Sequence, residues 1–249
     1  MPYSTDVAVF NFALLGWQST VIYRGDGSAG LLIWGVQLEP GDRPGGYARM
    51  AKLPLAVARA IPGLERGSGP NLALEAGPFI GGRWNLEQVT MVPGAAVAPD
   101  GSKTADRMAE TEDNDRHRIE AAVSGVTAGG IYTLSIYVKP AERAAMQFEM
   151  RDQAFGKSGV VHFNFNDEAV TYAKGDVTDV GMQALPDGWF RCWAAMPYST
   201  DVAVFNFALL GWQSAIIYKG DKSVGLLIWG VQFEPGNRPR GYAASRTAQ

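Results

Sequence analysis

The chain has 249 residues, enough for one large all-β domain or for one domain plus a fragment. Its 22 Lys and Arg against 25 Asp and Glu give a formal net charge of −3, which disfavours nucleic-acid binding. Hydrophobic residues make up 47% of the chain and charged residues 19%, which excludes a disordered polymer, while 30 Gly and 14 Pro indicate many short elements joined by turns.

The first 47 residues recur almost unchanged near the end of the chain. Residues 1–47 and 196–242 are identical at 39 of 47 aligned positions. Only the second copy has a long upstream partner, residues 70–195, so the first copy is predicted to be a partial repeat, equivalent to the C-terminal strands of a preceding module. Residues 48–69 are predicted to be a linker that includes a short helix, and residues 70–249 to be one complete module.

Period-two alternation of apolar and polar residues dominates the complete module. Apolar residues occupy every second position at Tyr132, Leu134, Ile136 and Val138, at Met146, Phe148 and Met150, at Val161, Phe163 and Phe165, and at Leu227, Trp229, Val231 and Phe233. Each set is expected to share one buried face of a strand whose other face meets solvent. Gly- and Pro-containing turns separate these segments, so the pattern predicts an all-β sandwich, with the jelly roll as the preferred topology.

The sequence contains few residues that indicate catalysis or membrane insertion. His117 and His162 are the only histidines, and they fall in different predicted strands without a nucleophile motif, which argues against a His-dependent hydrolase. The acidic residues Glu110, Glu112, Asp113 and Asp115 are expected to form a hydrated loop. The longest apolar run, Leu31 to Val36, is far shorter than the roughly 20 residues that cross a bilayer, so no membrane insertion is expected.

Several ordered motifs of the module resemble a known family. They are residues 85–90 (NLEQVT), 98–106 (APDGSKTAD), 132–139 (YTLSIYVK), 188–192 (GWFRC) and 225–236 (GLLIWGVQFEPG). Together they are similar to a carbohydrate-binding jelly-roll module that recurs in bacteriophage tail-fibre and other virion structural proteins. The resemblance implies a jelly-roll β-sandwich of the galactose-binding or carbohydrate-binding-module kind, non-catalytic binding of a host or environmental glycan, and a location on the virion.

A glycan site needs flat aromatic faces for sugar rings and polar side chains for hydroxyl groups. The candidate glycan-binding residues in this sequence are Trp84, Arg116, His117, Arg151, Trp212, Tyr218 and Asp221. The alternative for Trp84 and Trp212 is that they only fill the ends of the sandwich. Trp189 and Trp229 are expected to fill its core.

Jelly rolls of this kind sometimes hold a structural Ca²⁺ through carboxylate and main-chain oxygens. Glu75 and Glu234 are the candidate ligands, and no other cofactor is expected. The alternative for Glu234 is that it simply faces solvent on the terminal strand, together with Gln232.

Three functions remain open at the level of sequence. The preferred one is a non-catalytic glycan-binding or adhesion module; a purely architectural virion protein without a sugar ligand is the second, and a glycan-cleaving enzyme is the third. Residues 1–47 lack the upstream strands that their twin has, so they would expose an apolar face and open strand edges. This predicts a homo-oligomer in which residues 1–47 make contacts between chains.

Overall fold

The computed structural model describes residues 71–73, 79 and 84–242. The predicted partial repeat 1–47 and the predicted linker 48–69 lie outside the described residues. The strands of the described part are β1 (Asn85–Glu87), β2 (Val89–Ala96), β3 (Ala105–Glu110), β4 (Asn114–Asp115), β5 (Arg118–Ser124), β6 (Ile131–Pro140), β7 (Ala145–Asp152), β8 (Ser158–Asn164), β9 (Ala169–Gly175), β10 (Asp179–Ala184), β11 (Phe190–Pro197), β12 (Val202–Leu209), β13 (Tyr218–Lys219) and β14 (Gly225–Pro235). Two 3₁₀ helices, Pro186–Gly188 and Trp212–Ser214, lie between strands. No helix within these described ranges is long and apolar enough to cross a membrane.

The strands form two six-stranded antiparallel sheets and one small two-stranded pairing. The first sheet has the order β1-β5-β12-β7-β8-β9, the second has the order β10-β11-β6-β14-β3-β2, and β13 pairs with β4. The chain crosses repeatedly between the two sheets, so that β3 lies beside β14 in the second sheet while β5 lies beside β12 in the first. This strand order is that of a jelly roll, and it confirms the predicted all-β jelly-roll sandwich.

The main core lies between the two sheets and contains the residues that the alternation placed inside. The predicted inward residues of β6, namely Tyr132, Leu134, Ile136 and Val138, are buried, as are Met146, Phe148 and Met150 of β7 and Val161 and Phe163 of β8. Aromatic rings meet at its centre, where the Phe148 ring lies 4.9 Å from Phe207 and 4.7 Å from Phe163. Burial of this apolar surface is the main stabilising contribution to the sandwich.

A second apolar cluster covers part of the outer face of the second sheet. It consists of Ala98, Ala105, Tyr137, Leu185, Trp189 and Trp229. The prediction that Trp189 and Trp229 are buried is confirmed. The prediction that the other face of β6 meets solvent is wrong, because Thr133, Ser135 and Tyr137 are fully buried.

A bulge in β14 changes which of its residues face the main core. The register against β6 shifts between Trp229 and Gln232, and Gly230 there adopts φ of 64°. A side chain at Gly230 would be strained at that angle and would come within 3.1 Å of the Tyr137 and Tyr242 rings. The predicted common face of β14 is therefore wrong: Val231 and Phe233 join the main core, whereas Trp229 joins the second cluster.

The module, residues 70–249, is expected to fold without the N-terminal segment. We expect a chain that begins at Ser68 to unfold cooperatively in urea, since both sheets and both apolar clusters are built from residues beyond that point. Circular dichroism and tryptophan fluorescence should report the same transition midpoint. A gradual loss of structure, or two separate midpoints, would contradict the assignment of residues 70–249 as one complete module.

Candidate functional site

A groove of about 430 Å³ runs along the outer face of the first sheet. Its lining residues are Arg116, Arg118, Gln147, Glu149, Ser158, Gly159, Val160, His162, Tyr172, Lys174, Gly175, Ala208 and Ile216. They come from four adjacent strands of the sheet, from the start of β5 and from the loop after β12. Because side chains alternate along a strand, the residues between the lining positions, such as Phe148 and Phe207, lie in the main core.

Cross-strand pairing orders the side chains of this face into two rows. The first row, from β5 through β12, β7 and β8 to β9, is Arg118, Ala208, Gln147, His162 and Tyr172. The second row, across the same strands, is Glu120, Asn206, Glu149, Val160 and Lys174. Ala208 is the shortest side chain of the first row and stands between two long ones, which leaves a depression at that point.

The long polar side chains of the two rows hold one another in place. Arg118 Nε donates to Glu87 Oε2 at 2.5 Å, and Arg118 Nη1 lies 3.8 Å from the nearest carboxylate oxygen of both Glu120 and Glu149. Asn206 Nδ2 donates to Glu149 Oε2 at 2.9 Å. These charges therefore have fixed positions, which reduces the entropy lost when a ligand binds.

The β8 and β9 side of the groove presents an aromatic pair. The His162 and Tyr172 rings are 4.8 Å apart, and His162 Nε2 lies 3.0 Å from Gln147 Oε1. Burial lowers the pKa of His162 below its usual value, so the ring stays neutral at neutral pH. The Tyr172 side of the pair is 43% exposed and can present a ring face to a ligand.

Two further aromatic side chains project from loops near the groove. Trp212 is 84% exposed and makes no ring contact with any other described residue, and Ile216 of the same loop lines the groove. Phe155 is 66% exposed in the turn between β7 and β8, with the Arg151 guanidinium 4.3 Å from its ring centre. Large apolar rings that the fold does not bury are typical of binding surfaces.

Comparison with known proteins gave no matching family model and no matching curated protein. Among solved structures, the chain is similar to the enzymatically active domain of tailspike protein 4 of bacteriophage CBA120, with 12% identity and a TM-score of 0.37, over 66% of this chain and 22% of that one. It is similar to a carbohydrate-binding module of the β-sandwich superfamily, with 12% identity and a TM-score of 0.36, over 66% of this chain and 62% of that one. A third similar structure is the mannan-recognising module TmCBM27, with 10% identity and a TM-score of 0.33, over 61% of this chain and 88% of that one.

The chain thus spans less than two thirds of the length of the first two structures. The ligands and activity named for these proteins are properties of those proteins.

Three of the residues predicted for glycan binding lie at or beside the groove. Arg116 is exposed and lines it, and Trp212 lies on the loop at its rim. Arg151 extends the same face next to Ser158, where its Nη2 lies 3.6 Å from Glu120 Oε2. Their contact with a glycan stays a prediction.

Two predicted residues are buried and hold the fold together instead. Trp84 is only 8% exposed, with its ring 5.1 Å from Phe79 and also in contact with Phe205 and Phe207, so it fills the end of the core as the alternative interpretation proposed. His117 is fully buried, with Nδ1 2.6 Å from the Gln88 carbonyl oxygen and Nε2 3.2 Å from that of Tyr218. The expectation that these two side chains are available to a sugar is wrong.

Tyr218, which is half-buried, and Asp221, which is exposed, lie around the buried Glu110 outside the groove. The Tyr218 hydroxyl donates to Glu110 Oε1 at 2.8 Å, and burial raises the pKa of that phenol. The Asp221 carboxylate accepts from the backbone and hydroxyl of Ser223, which lowers its pKa. The prediction of a hydrated acidic loop is wrong at Glu110, which is fully buried and paired with Arg143 at 2.5 Å.

The calcium site predicted at Glu75 and Glu234 stays a prediction. Glu75 lies outside the described residues. Glu234 and Gln232 are both buried, so the alternative that they face solvent is wrong. Glu234 Oε1 accepts from Gln232 Nε2 at 2.5 Å and from the backbone N–H of Arg240 at 2.9 Å, and the Arg240 guanidinium lies 4.0 Å from Oε2. Hydrogen-bond donors therefore surround Oε1, whereas Oε2 makes no hydrogen bond to a described residue.

Most residues of the groove were not recognised from the sequence. They include Arg118, Gln147, Glu149, His162, Tyr172 and Lys174. Alternation places Gln147, Glu149 and His162 on the strand face that points away from the core. This pattern could have identified them as candidate surface residues of the groove. The pairing of β5 with β12 and of β12 with β7, which brings distant segments together, has no local sequence signal.

Proposed function

We propose that this chain is a non-catalytic glycan-binding module of a phage tail fibre or another virion structural protein. The observation that carries the proposal is the groove on the first sheet, which combines ordered polar side chains with the exposed Tyr172 ring; Trp212 is on the loop that also carries the lining residue Ile216, and Phe155 is in the turn before the lining residue Ser158. Rings that stack on the apolar face of a sugar, with amides and charged groups aimed at its hydroxyls, are the chemistry that a saccharide requires. The phage context rests on the sequence motifs alone.

A catalytic function has less support from the geometry. Glu120 and Glu149 are neighbouring carboxylates of the second row, and both lie 3.8 Å from the same Arg118 nitrogen. A glycosidase needs one carboxyl group that holds a proton for the leaving group. Both carboxylates here are instead placed around one guanidinium, an arrangement typical of groups that position an arginine.

Binding is tested on a glycan array, together with an assay for released reducing ends. We expect Trp212→Ala to weaken binding at least about tenfold, a loss of about 1.4 kcal/mol, while thermal stability is unchanged, because the ring is exposed and unpacked. The matched control is Val97→Ala, which removes an exposed apolar side chain from the turn between β2 and β3 of the second sheet.

The outcomes separate the three functions. Binding without released reducing ends supports the glycan-binding module, and released oligosaccharide supports the enzyme. If no glycan binds, the architectural virion protein is the better explanation. Equal losses in Trp212→Ala and Val97→Ala would place the glycan somewhere other than this groove.

We further propose that the chain forms a homo-oligomer in the virion, which would present several weak sites at once and raise the avidity. In the described copy of the repeat, β12 lies between β5 and β7, and β14 lies between β6 and β3. Residues 1–47 carry nearly the same sequence as these interior strands, so they are suited to the same positions in another chain.

Light scattering tests the oligomer directly. We expect the full chain to have the mass of a dimer or larger assembly and a chain beginning at Ser68 to be a monomer. If both are monomers, residues 1–47 do not drive assembly. Detection of the chain in purified particles by mass spectrometry tests its location on the virion.

A further inference from the structure

The charges of the groove indicate which class of glycan it takes, an inference that rests on the proposed function. Four charged residues line the groove: the cations Arg116, Arg118 and Lys174, and the anion Glu149. Glu149 is engaged by Arg118 and by Asn206, and Arg118 is engaged in turn by Glu87. Arg118 thus contacts three carboxylates, those of Glu87, Glu120 and Glu149, and Arg151 contacts Glu120 as well, so this interior group carries one negative charge in excess.

Two cations of the groove remain, Arg116 and Lys174. No other described residue forms an ion pair with the side chains of Arg116 and Lys174, and both residues are exposed. By contrast, every carboxylate of the two rows contacts an arginine. A ligand that enters the groove thus meets two cations without an ion-pair partner among the described residues, whereas Glu149, the carboxylate of the lining, already contacts Arg118 and Asn206.

The two cations stand on opposite sides of the groove. Arg116 precedes β5, and Lys174 lies on β9, four strand intervals away in the sheet order. With strands about 4.8 Å apart, the separation across the sheet is about 19 Å. Ala208, Gln147 and His162 of the first row lie on the strands between them, and Tyr172 lies on β9 beside Lys174.

We propose that the groove binds an anionic polysaccharide, one that carries carboxylate or sulfate groups at intervals along the chain. Its charged groups pair with Arg116 and Lys174, one sugar ring stacks on Tyr172 beside Lys174, and the rings between the two cations contact Gln147. Guanidinium and ammonium groups bind carboxylate and sulfate oxygens through charge-assisted hydrogen bonds. A neutral polysaccharide would leave both cations without partners.

The test compares three probes on the full chain: polygalacturonate, dextran sulfate and uncharged dextran. Affinity is measured by calorimetry for the unmodified chain, for Arg116→Gln with Lys174→Gln, and for Lys174→Arg. Lys222→Gln is the control, because Lys222 is exposed on the surface and pairs with Glu112 outside the groove. Polygalacturonate and dextran sulfate distinguish carboxylate from sulfate as the recognised group.

We expect at least one anionic probe to bind, with a tenfold or greater loss in the double variant, retention in Lys174→Arg and less than a twofold change in Lys222→Gln. An equal loss in Lys222→Gln would overturn the proposal, because attraction to general surface charge would then explain the binding. Binding of uncharged glycans that is sensitive to Trp212→Ala, without binding of the anionic probes, would overturn this inference and leave the proposed function intact. If no glycan of either kind binds, both fail.

Discussion

Trp229→Ala should destabilise the module by about 3–5 kcal/mol, the cost of deleting a large buried aromatic side chain. The Trp229 ring lies 4.5 Å from Tyr242 and 5.3 Å from Tyr137, and its Nε1 donates to Thr104 Oγ1 at 3.0 Å. The substitution removes these contacts from the second cluster and leaves a cavity. The free energy of unfolding is measured in guanidinium chloride, with the slope of the transition checked for a constant exposed area.

The matched control is Trp212→Ala, which removes the same side chain from an exposed site. We expect a change of within about 0.5 kcal/mol there, because surface substitutions rarely do more. If Trp212→Ala destabilised the module as much as Trp229→Ala, the Trp212 ring would have to pack against the fold, and its proposed role at the groove rim would be untenable.

Glu110→Gln should be nearly as damaging, at about 3 kcal/mol, because it leaves a partly buried guanidinium without its counter-charge. The Glu110 carboxylate accepts from Arg143 Nε at 2.7 Å, from Arg143 Nη2 at 2.5 Å, from the Tyr218 hydroxyl at 2.8 Å and from the Asp221 backbone N–H at 3.0 Å. A neutral amide cannot replace all four acceptor contacts. The estimate is at the low end for a buried pair because Arg143 keeps 21% of its side chain exposed.

Glu112→Gln serves as the comparison for Glu110→Gln, since both remove one carboxylate from the same short stretch of chain. Glu112 pairs with Lys222 at 3.1 Å, but both side chains are mostly exposed. An exposed ion pair contributes at most about 1 kcal/mol. Chemical denaturation of both variants should therefore separate them clearly, and equal effects would show that the Glu110 cluster is not the stabilising network that its contacts suggest.

The sequence was sufficient to predict the strands and the sandwich but not how its surfaces are used. Alternation identified the core residues of β6, β7 and β8 because the side-chain period of a strand is fixed. It failed at Trp229, where the Gly230 bulge shifts the register by a residue, and at Tyr137, whose outer face is covered by distant segments. Neither the bulge at Gly230 nor the covering of Tyr137 by distant segments has a local sequence pattern that predicts it.

The residues of the candidate site were likewise only partly predictable from the sequence. Trp212 was recognisable as a large ring in a turn region, whereas Trp84 has a similar local setting and is in the core. Trp84 is buried because the Phe205 and Phe207 rings of β12, a strand distant in sequence, pack against it, whereas Trp212 has no such neighbour among the described residues. The groove itself depends on the order β5-β12-β7-β8-β9, and strand order is a property of the whole fold.

The alternation of β7 and β8 has a consequence for how this protein can diversify. The outward positions Gln147, Glu149, Val160 and His162 line the groove, while their neighbours Phe148, Val161 and Phe163 are fully buried. Ligand preference and fold stability are thus encoded at alternate letters of the same strands. A library randomised at the outward positions alone should contain mostly folded members with altered ligand preference, so the module is a suitable scaffold for selecting new binding specificities.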